Sequence, residues 1–390
     1  MLAAQKVKTG AIPVLAVIIF LAESASAVPP DTLNFSIAKY IKRCQVLLPV
    51  DVKYVCVNSS RSEAYPWAVV TRNKLMFYNR MGLLDGEQSL PSAKDYKITE
   101  SARGQYLLIR GLKTNRRVGL ERLYKFNGSL ILESEFGSVA DGSIFATPVE
   151  VSNYVLAVDG GGVLTTSFDG DTLAARALHD TTLYEDGDIV AAPRRDGKQI
   201  YVASNRFKFP RQGDTAGVIF YRLTKELKEE VRVPLPYLLA RDISCTTNGE
   251  YVALTTELED GTTPMMILDS NGREVYRLTN PAYTRFSDDM SYLLHVPRMG
   301  PPDIIDVGDW QTYFRPSNIA PRFPWVDADM ALGKYSILFD SNDLYLVDIG
   351  QKCWGKAAFP FAFSRCKIYG NGRRIILSGQ FGFVVYDRLR

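Results

Sequence analysis

Between Asp242 and Leu278 the chain reads DISCTTNGEYVALTTELEDGTTPMMILDSNGREVYRL. The run Ile243–Thr246 stops at Asn248-Gly249, and a second run, Tyr251–Thr255, follows it. Met265–Asp269 is a third run, and Ser270-Asn271-Gly272 turns it into Arg273–Leu278. Each run has the length of a strand and is rich in β-branched and aromatic residues. Asn-Gly between apolar runs is a strong hairpin signal, because a two-residue hairpin turn asks for positive φ at both positions. The stretch predicts four consecutive antiparallel strands.

The same unit recurs outward from this copy. Downstream, Asp289–Tyr292 opens a copy that runs to Asp306, Gly333-Lys334-Tyr335 opens one ending at Asp348, and Gly372-Arg373-Arg374 opens one ending at Asp387. Upstream copies begin at Asp196-Gly197-Lys198, around Gly160-Gly161-Gly162, and at Gly104-Gln105-Tyr106; the faintest pairs Trp67–Thr71 with Leu75–Tyr78. Unit ends fall near residues 79, 127, 169, 223, 269, 306, 348 and 387, so the period averages about 43 residues. Regular short strands mean a sandwich, a barrel or a propeller, and a period of roughly 40–50 residues selects the propeller. The expected fold is all-β, a β-propeller of four-stranded antiparallel blades. Eight blades are expected, or seven if the faint first unit is not one. Leu223–Glu230 is the best helical candidate, and an ordinary β connection serves there equally well.

The last unit ends at Arg390 without a fourth strand. A ring that closes by borrowing a strand from the other end removes its exposed edges. Residues about 33–50, NFSIAKYIKRCQVLLPV at their core, can supply that strand. The expected organisation is an export signal over 1–27, a segment 28–52 that supplies the closing strand, and a propeller over 53–390.

The repeated unit, Gly-x-Tyr before an apolar strand and then an apolar strand ending at Asp-x-Gly, resembles secreted WD-type and quinoprotein-type repeat propellers over about residues 50–390. Trp-Asp and Gly-His pairs are missing, and Asp309-Trp310 has the reverse order. The resemblance implies architecture and no activity, since function lives in sites grafted on folds.

At the N-terminus, Lys6 and Lys8 precede the apolar run Ala11–Ala22, and Ala25-Ser26-Ala27 precedes Val28-Pro29-Pro30. That is the pattern of a cleavable signal peptide, cut after Ala27. The run is too short to span a bilayer, which takes about 20 residues. The mature chain is expected to be periplasmic or extracellular, without a transmembrane anchor. Removing Lys6, Lys8 and Glu23 lowers the formal charge from +3 to +2. A near-neutral chain has little long-range attraction for nucleic acid, and none is expected as a partner. An exported protein can carry disulfides. The five cysteines leave one over: Cys44–Cys56 and Cys353–Cys366 are the local pairs, Cys44–Cys366 is the rival if the N-terminal strand closes the ring, and Cys245 reads as a buried thiol.

Chemistry is sparse. The chain has two histidines, His179 and His295, neither with a metal-spaced companion. No G-x-S-x-G elbow is present, Gly160-Gly161-Gly162 reads as a hairpin turn, and Asp169-Gly170-Asp171 and Asp186-Gly187-Asp188 read as turns more readily than as calcium loops. No cofactor and no metal are expected.

The strongest candidate surface is a long connection, residues 205–216, NRFKFPRQGDTA, where Arg206, Lys208 and Arg211 interleave with Phe207 and Phe209. Cations with aromatics suit a partner surface. Glu257, Glu259 and Asp260 follow in the next unit, Arg298 sits in the stiff PRMGPP of the one after, and Lys113, Arg116 and Arg117 lie across the ring. A second candidate is the central funnel, where Arg241, Arg285 and Arg365 each lie near the start of a unit's first strand and could hold an anion. The expected function is that of an exported module binding a protein or small-molecule ligand through one face. The alternative is a propeller enzyme, a hydrolase, lactonase or lyase, using Asp242, Asp288, Asp327 or Asp329 beside Arg285 in the funnel.

Overall fold

The computed structural model describes residues 29–390 except 49–51, 58–65, 91–92, 94, 102–103, 113–117, 135–144, 150–151, 160–161, 179–183, 209–216, 238, 259–261, 280, 288, 299, 320, 322–323, 332, 341, 360–362, 370, 380–381 and 390. Among them there are eight antiparallel sheets and no α-helix. Seven sheets are built from consecutive strands. In blade I these are Val52–Val57, Trp67–Thr71, Lys74–Tyr78 and Leu84–Ser89; in blade V they are Leu239–Cys245, Tyr251–Glu257, Met265–Asp269 and Glu274–Leu278. The third strands of the eight blades end at Tyr78, Lys125, Ser167, Thr224, Asp269, Asp306, Asp348 and Arg388, in step with the repeat read from the sequence. The helical candidate at 223–230 is a turn between strands, with Leu227 at φ 61°.

Blade VIII closes the ring. Its first three strands, Arg365–Tyr369, Arg374–Gly379 and Gly382–Arg388, are joined by Ala38–Leu47, which pairs antiparallel with the third. A fifth strand, Thr32–Phe35, folds back on Ala38–Leu47. It buries Leu33 and Phe35 in the core between blades VII and VIII. The closing strand therefore lies at the outer side of blade VIII, whereas Cys366 lies on its innermost strand. Two strands separate Cys44 from Cys366, and all five cysteines are free thiols.

The core is a stack of blade-to-blade interfaces. Tyr201, Ala203, Val218 and Phe220 of blade IV pack against Ile243, Val252, Leu254, Met266 and Leu268 of blade V. Middle strands meet a neighbouring blade on both faces, so they are apolar almost throughout: Tyr335–Phe339 and Asp343–Asp348 of blade VII are buried at nearly every position. The outermost strand, Cys353–Ala358, alternates instead.

The Gly-x-Tyr signature has a physical cause. The turn from first to second strand spans four residues in blade V: the Gly249 N–H donates to the Thr246 carbonyl at 3.0 Å and the Thr246 N–H to the Tyr251 carbonyl at 3.0 Å. Gly249 takes φ +74°, but Asn248 stays at negative φ and uses its Oδ1 to accept from the Glu250 N–H at 3.0 Å. The expected two-residue turn is thus a longer one, in which glycine alone takes the left-handed conformation. These glycines also sit where the preceding blade presses close. The Tyr201 hydroxyl donates to the Gly249 carbonyl at 2.6 Å, and a Cβ on Gly372 would lie 2.5 Å from Cδ2 of Tyr335. Tyr154 and Tyr40 make the same hydroxyl-to-glycine bond, to Gly197 and Gly372.

Candidate functional site

First strands lie against the first strands of the next blade for most pairs around the ring, so they form its inner wall. They all run in one direction. The face where they begin also receives the links between second and third strands and the links between blades.

The inner wall carries polar side chains at alternate positions. Arg365–Tyr369 runs exposed, buried, half-buried, buried, half-buried. Alternation of period two means that one side of the strand faces solvent at the axis while the other packs into a blade interface. Equivalent depths follow from the pairing that ends each first strand: Ser101 with Tyr106, Thr246 with Tyr251, Ser287 with Tyr292, Ala331 with Tyr335 and Tyr369 with Arg374. Four residues before these points lie Lys97, Asp242, Tyr283, Asp327 and Arg365, an upper tier. Two residues before them lie Thr99, Ser244, Arg285, Asp329 and Lys367, a lower tier about 7 Å deeper. From blade V to blade VIII the sign of the charge alternates: Asp242, Arg285, the pair Asp327 and Asp329, then the pair Arg365 and Lys367.

These groups feel one another. The Asp327 Oδ2 accepts from the Cys366 N–H at 2.8 Å, and the Asp329 Oδ2 accepts from the Ile368 N–H at 3.0 Å, so both carboxylates bridge blades VII and VIII. Burial nevertheless pushes the Asp329 carboxyl up to about 6, against the backbone N–H groups and the charges of Arg285 and Lys367 that hold it down. Burial raises Asp327 and Asp242 in the same direction, with Arg285 opposing in both. Glu100 of blade II is also raised by burial. Its carboxylate lies 3.9 Å from Lys367 Nζ, and hydrogen bonds from Tyr54 and Cys56 oppose the rise. Arg365 lies over the Tyr54 ring at 4.2 Å. The exposed Arg285 donates through Nη1 to the Thr284 carbonyl at 3.1 Å and has no carboxylate at ion-pair distance among the described residues.

The three funnel arginines do not form one ring. Arg285 and Arg365 both bear on Asp327, from different depths. Arg241 is the extra residue of a bulge between Ala240 and Asp242, and it turns to Glu257 of its own blade, with Nε at 2.9 Å from the carboxylate. The sequence reading missed Lys97, Glu100 and Lys367. Lys97 and Lys367 carry a signal as polar residues at every second position before a turn glycine, and Glu100 falls outside that alternation.

Of the long-connection candidates, Arg206, Phe207 and Lys208 belong to the strand Gln199–Lys208, which pairs them with Asp186, Glu185 and Tyr184. They are strand residues because that hairpin keeps pairing well past the point where the apolar pattern ends. Phe209 and Arg211 lie outside the described residues, as do Lys113, Arg116, Arg117, Glu259, Asp260, Asp288 and His179. Arg298 is exposed after Tyr292–Pro297, in a loop tied down by Trp325, whose Nε1 donates to the Gly300 carbonyl at 3.0 Å. His295 sits on the second strand of blade VI, mostly buried, with Nδ1 3.5 Å from Asp303, and Arg315 holds the same carboxylate.

No family model and no curated protein matches the chain. Solved structures match it by fold. The C-terminal WD40 domain of Sif2 aligns with a TM-score of 0.61 at 11% identity, over 90% of this chain and 98% of that one. The fold resembles that of the WD-type propellers. BamB from Moraxella catarrhalis aligns with a TM-score of 0.57 at 10% identity, over 89% of this chain and 99% of that one. The Dos1 propeller aligns with a TM-score of 0.61 at 9% identity, over 89% and 95%. Identities this low carry the propeller architecture and nothing of the site. Among the described residues no helix is long and apolar enough to cross a membrane, and no group of three or more His, Cys, Asp or Glu could hold a metal ion.

Proposed function

We propose that the protein is an exported binding module that engages its ligand at the face where the first strands begin, with the axial funnel as the centre of the site. One observation carries this reading: the polar inner wall, with Arg285 and Arg365 on it, opens at the same face that gathers the links between strands. Pockets with a few convergent polar groups at such a position are the usual place for a ligand. The end of the strand Gln199–Lys208 and Arg298 would rim this face. Near-neutral charge disfavours nucleic acid as the partner.

Export is supported by the pattern at 1–27. Lys42 Nζ donates to the Pro29 carbonyl at 3.0 Å and the Tyr386 hydroxyl to the Pro30 carbonyl at 2.7 Å, so the second and third residues after the proposed cut are held to the ring. N-terminal sequencing of the secreted or periplasmic protein should read Val28-Pro29-Pro30; an uncut N-terminus would reject export by this signal.

The test of binding is capture from the exported fraction of the native host. Charge reversal of Arg285 and Arg365 should abolish the captured partner, and reversal of Arg206, Lys208 and Arg211 should weaken it. Unchanged capture by the first variant would remove the funnel from consideration. One observation favours the enzyme alternative. Asp327 and Asp329, both with raised pKa, converge with Arg285, as acid–base chemistry would require. A turnover that follows an ionisation near 6 and is lost in Asp329→Asn would select it over simple binding.

A further inference from the structure

The funnel's own chemistry narrows what it can hold, given the reading above that the funnel is the binding centre. We infer that the axial site takes an uncharged, polyhydroxylated ligand, a saccharide or the end of a saccharide chain.

The first ground is the balance of charge. Among the described wall residues, the carboxylates Asp242, Asp327 and Asp329 stand among the cations Lys97, Arg285, Arg365 and Lys367, and Glu100 lies 3.9 Å from Lys367. Arg285, the cation with most free hydrogen-bonding capacity, is flanked by three of these carboxylates, each of which feels its charge. A free anion brought to Arg285 would meet them at close range, so an isolated phosphate or carboxylate gains little there. The second ground is unmet capacity of both kinds. The exposed Asp242 uses its Oδ1 to accept from the Ile243 N–H at 2.9 Å, with acceptor capacity to spare, and Arg285 keeps most of its five donors. Hydroxyl groups donate to carboxylates and accept from guanidiniums, so one ligand group can serve either kind of wall residue. A zwitterion such as an amino acid brings one ammonium and one carboxylate, and leaves the remaining charged groups of the two tiers unmatched. The third ground is spread. Donors and acceptors alternate across blades V to VIII and over two tiers, with Ser244 and the half-buried Tyr283 among them. Alternation over about 7 Å of depth fits a ligand with many hydroxyls better than one with a single polar head. Tyr283 adds an aromatic ring in the upper tier, its hydroxyl committed to the Val326 carbonyl, so that the ring is held in place.

The test uses the mature protein with a panel of free probes: neutral oligosaccharides built from glucose, galactose, mannose, xylose or N-acetylglucosamine, and beside them inorganic phosphate, succinate, glycine and a dipeptide. Saturation-transfer NMR finds the binder and calorimetry gives Kd. The expected result is binding of at least one neutral saccharide. Its Kd should change less than about twofold between low and high salt, because no net charge is exchanged. Arg285→Ala and Asp242→Asn should each weaken it about tenfold, the scale of one hydrogen bond to a charged group. Ser244→Trp, at an exposed wall position, should block it by filling the channel while leaving the melting curve unchanged. Binding confined to the phosphate, succinate, glycine or peptide probes would overturn the inference, as would no binding by any saccharide or saccharide binding that survives Ser244→Trp. These outcomes are separable from failure of the binding module itself: a captured partner lost on reversal of Arg285 and Arg365, with no saccharide bound, keeps the funnel as the centre and rejects only the ligand class.

Discussion

The first and second strands of one blade are neighbours of similar length, yet they obey different rules. In blade VII, Tyr335–Phe339 is half-buried at Tyr335 and buried at the four positions that follow. One step inward, Asp327–Ala331 places two carboxylates at alternate positions among buried alanine and methionine. Both strands are pleated with period two. The difference is what lies on their two sides. The second strand has a blade on each side, whereas the first has a blade on one side and the open axis on the other. The inner strand therefore keeps polar groups that would be costly one step outward. In this ring stability is held in the middle strands and polar capacity at the axis.

That division can be broken or sharpened by measurement. The largest effect should come from removing residues 29–48, which takes away the closing strand and exposes two sheet edges. Stability on the scale of the whole fold, about 5–15 kcal/mol, is expected to be lost. A cooperative melt of a monomeric truncated chain would show that the ring does not depend on closure. Next, Phe339→Ala should cost about 3–5 kcal/mol by opening a cavity in the core between blades VII and VIII. Glu121→Gln should cost about as much, 3–5 kcal/mol, because it strands the Arg110 charge, with which Glu121 makes a fully buried pair at 2.5 Å. Here a polar pair does sit in middle strands, and it is tolerated because the two partners face each other across the sheet. Denaturant midpoints at constant m-value read all three. If Phe339→Ala cost no more than an axial substitution, the division would fail.

The axial wall should behave in the opposite way. At pH 7.5, Asp329→Asn is expected to be at least as stable as the native chain, within about 1 kcal/mol, because it removes a charge that burial disfavours. The sign with pH follows from the raised pKa. The folded state holds the Asp329 proton more tightly than the unfolded chain does. Its contribution to stability is therefore full below the ordinary 3.8 and is lost as pH rises through about 6. The gap between variant and native midpoints should narrow between pH 7.5 and pH 5. An unchanged gap would mean that Asp329 titrates like a surface carboxylate. The smallest effect belongs to Arg241→Ala, which breaks a solvent-exposed pair with Glu257 and should move stability by about 1 kcal/mol or less.

Much of the architecture was readable along the chain because it is local. The Gly-x-Tyr starts and Asp-x-Gly ends mark hairpins whose hydrogen bonds span a few residues, and their recurrence at about 43 residues marks the blades. Closure was readable too, from a last unit short of a strand and an apolar run at 44–49. The funnel was legible in part. Arg285, Arg365, Asp242, Asp327 and Asp329 were visible as charges near first strands. Lys97, Glu100 and Lys367 were passed over, since a lysine in a strand looks the same whether it faces an axis or bulk water. Arg241 turns to Glu257 because a single bulged residue rotates its side chain, and nothing in LARDISC announces the bulge. Arg206 to Lys208 were read as loop because apolar alternation stops before backbone pairing does.

What the amino-acid sequence determined by itself is the repeat, a ring of eight or seven blades and the identity of the closing segment, all consequences of short-range turn chemistry and of period-two alternation; the structure has eight. The tertiary structure alone decided which charges meet. Glu100 and Lys367 are separated by most of the chain and come within 3.9 Å only because the closed ring brings the inner strands of its second and eighth blades together. Long-range electrostatics of this kind depends on distance in space, and closure of the ring sets that distance.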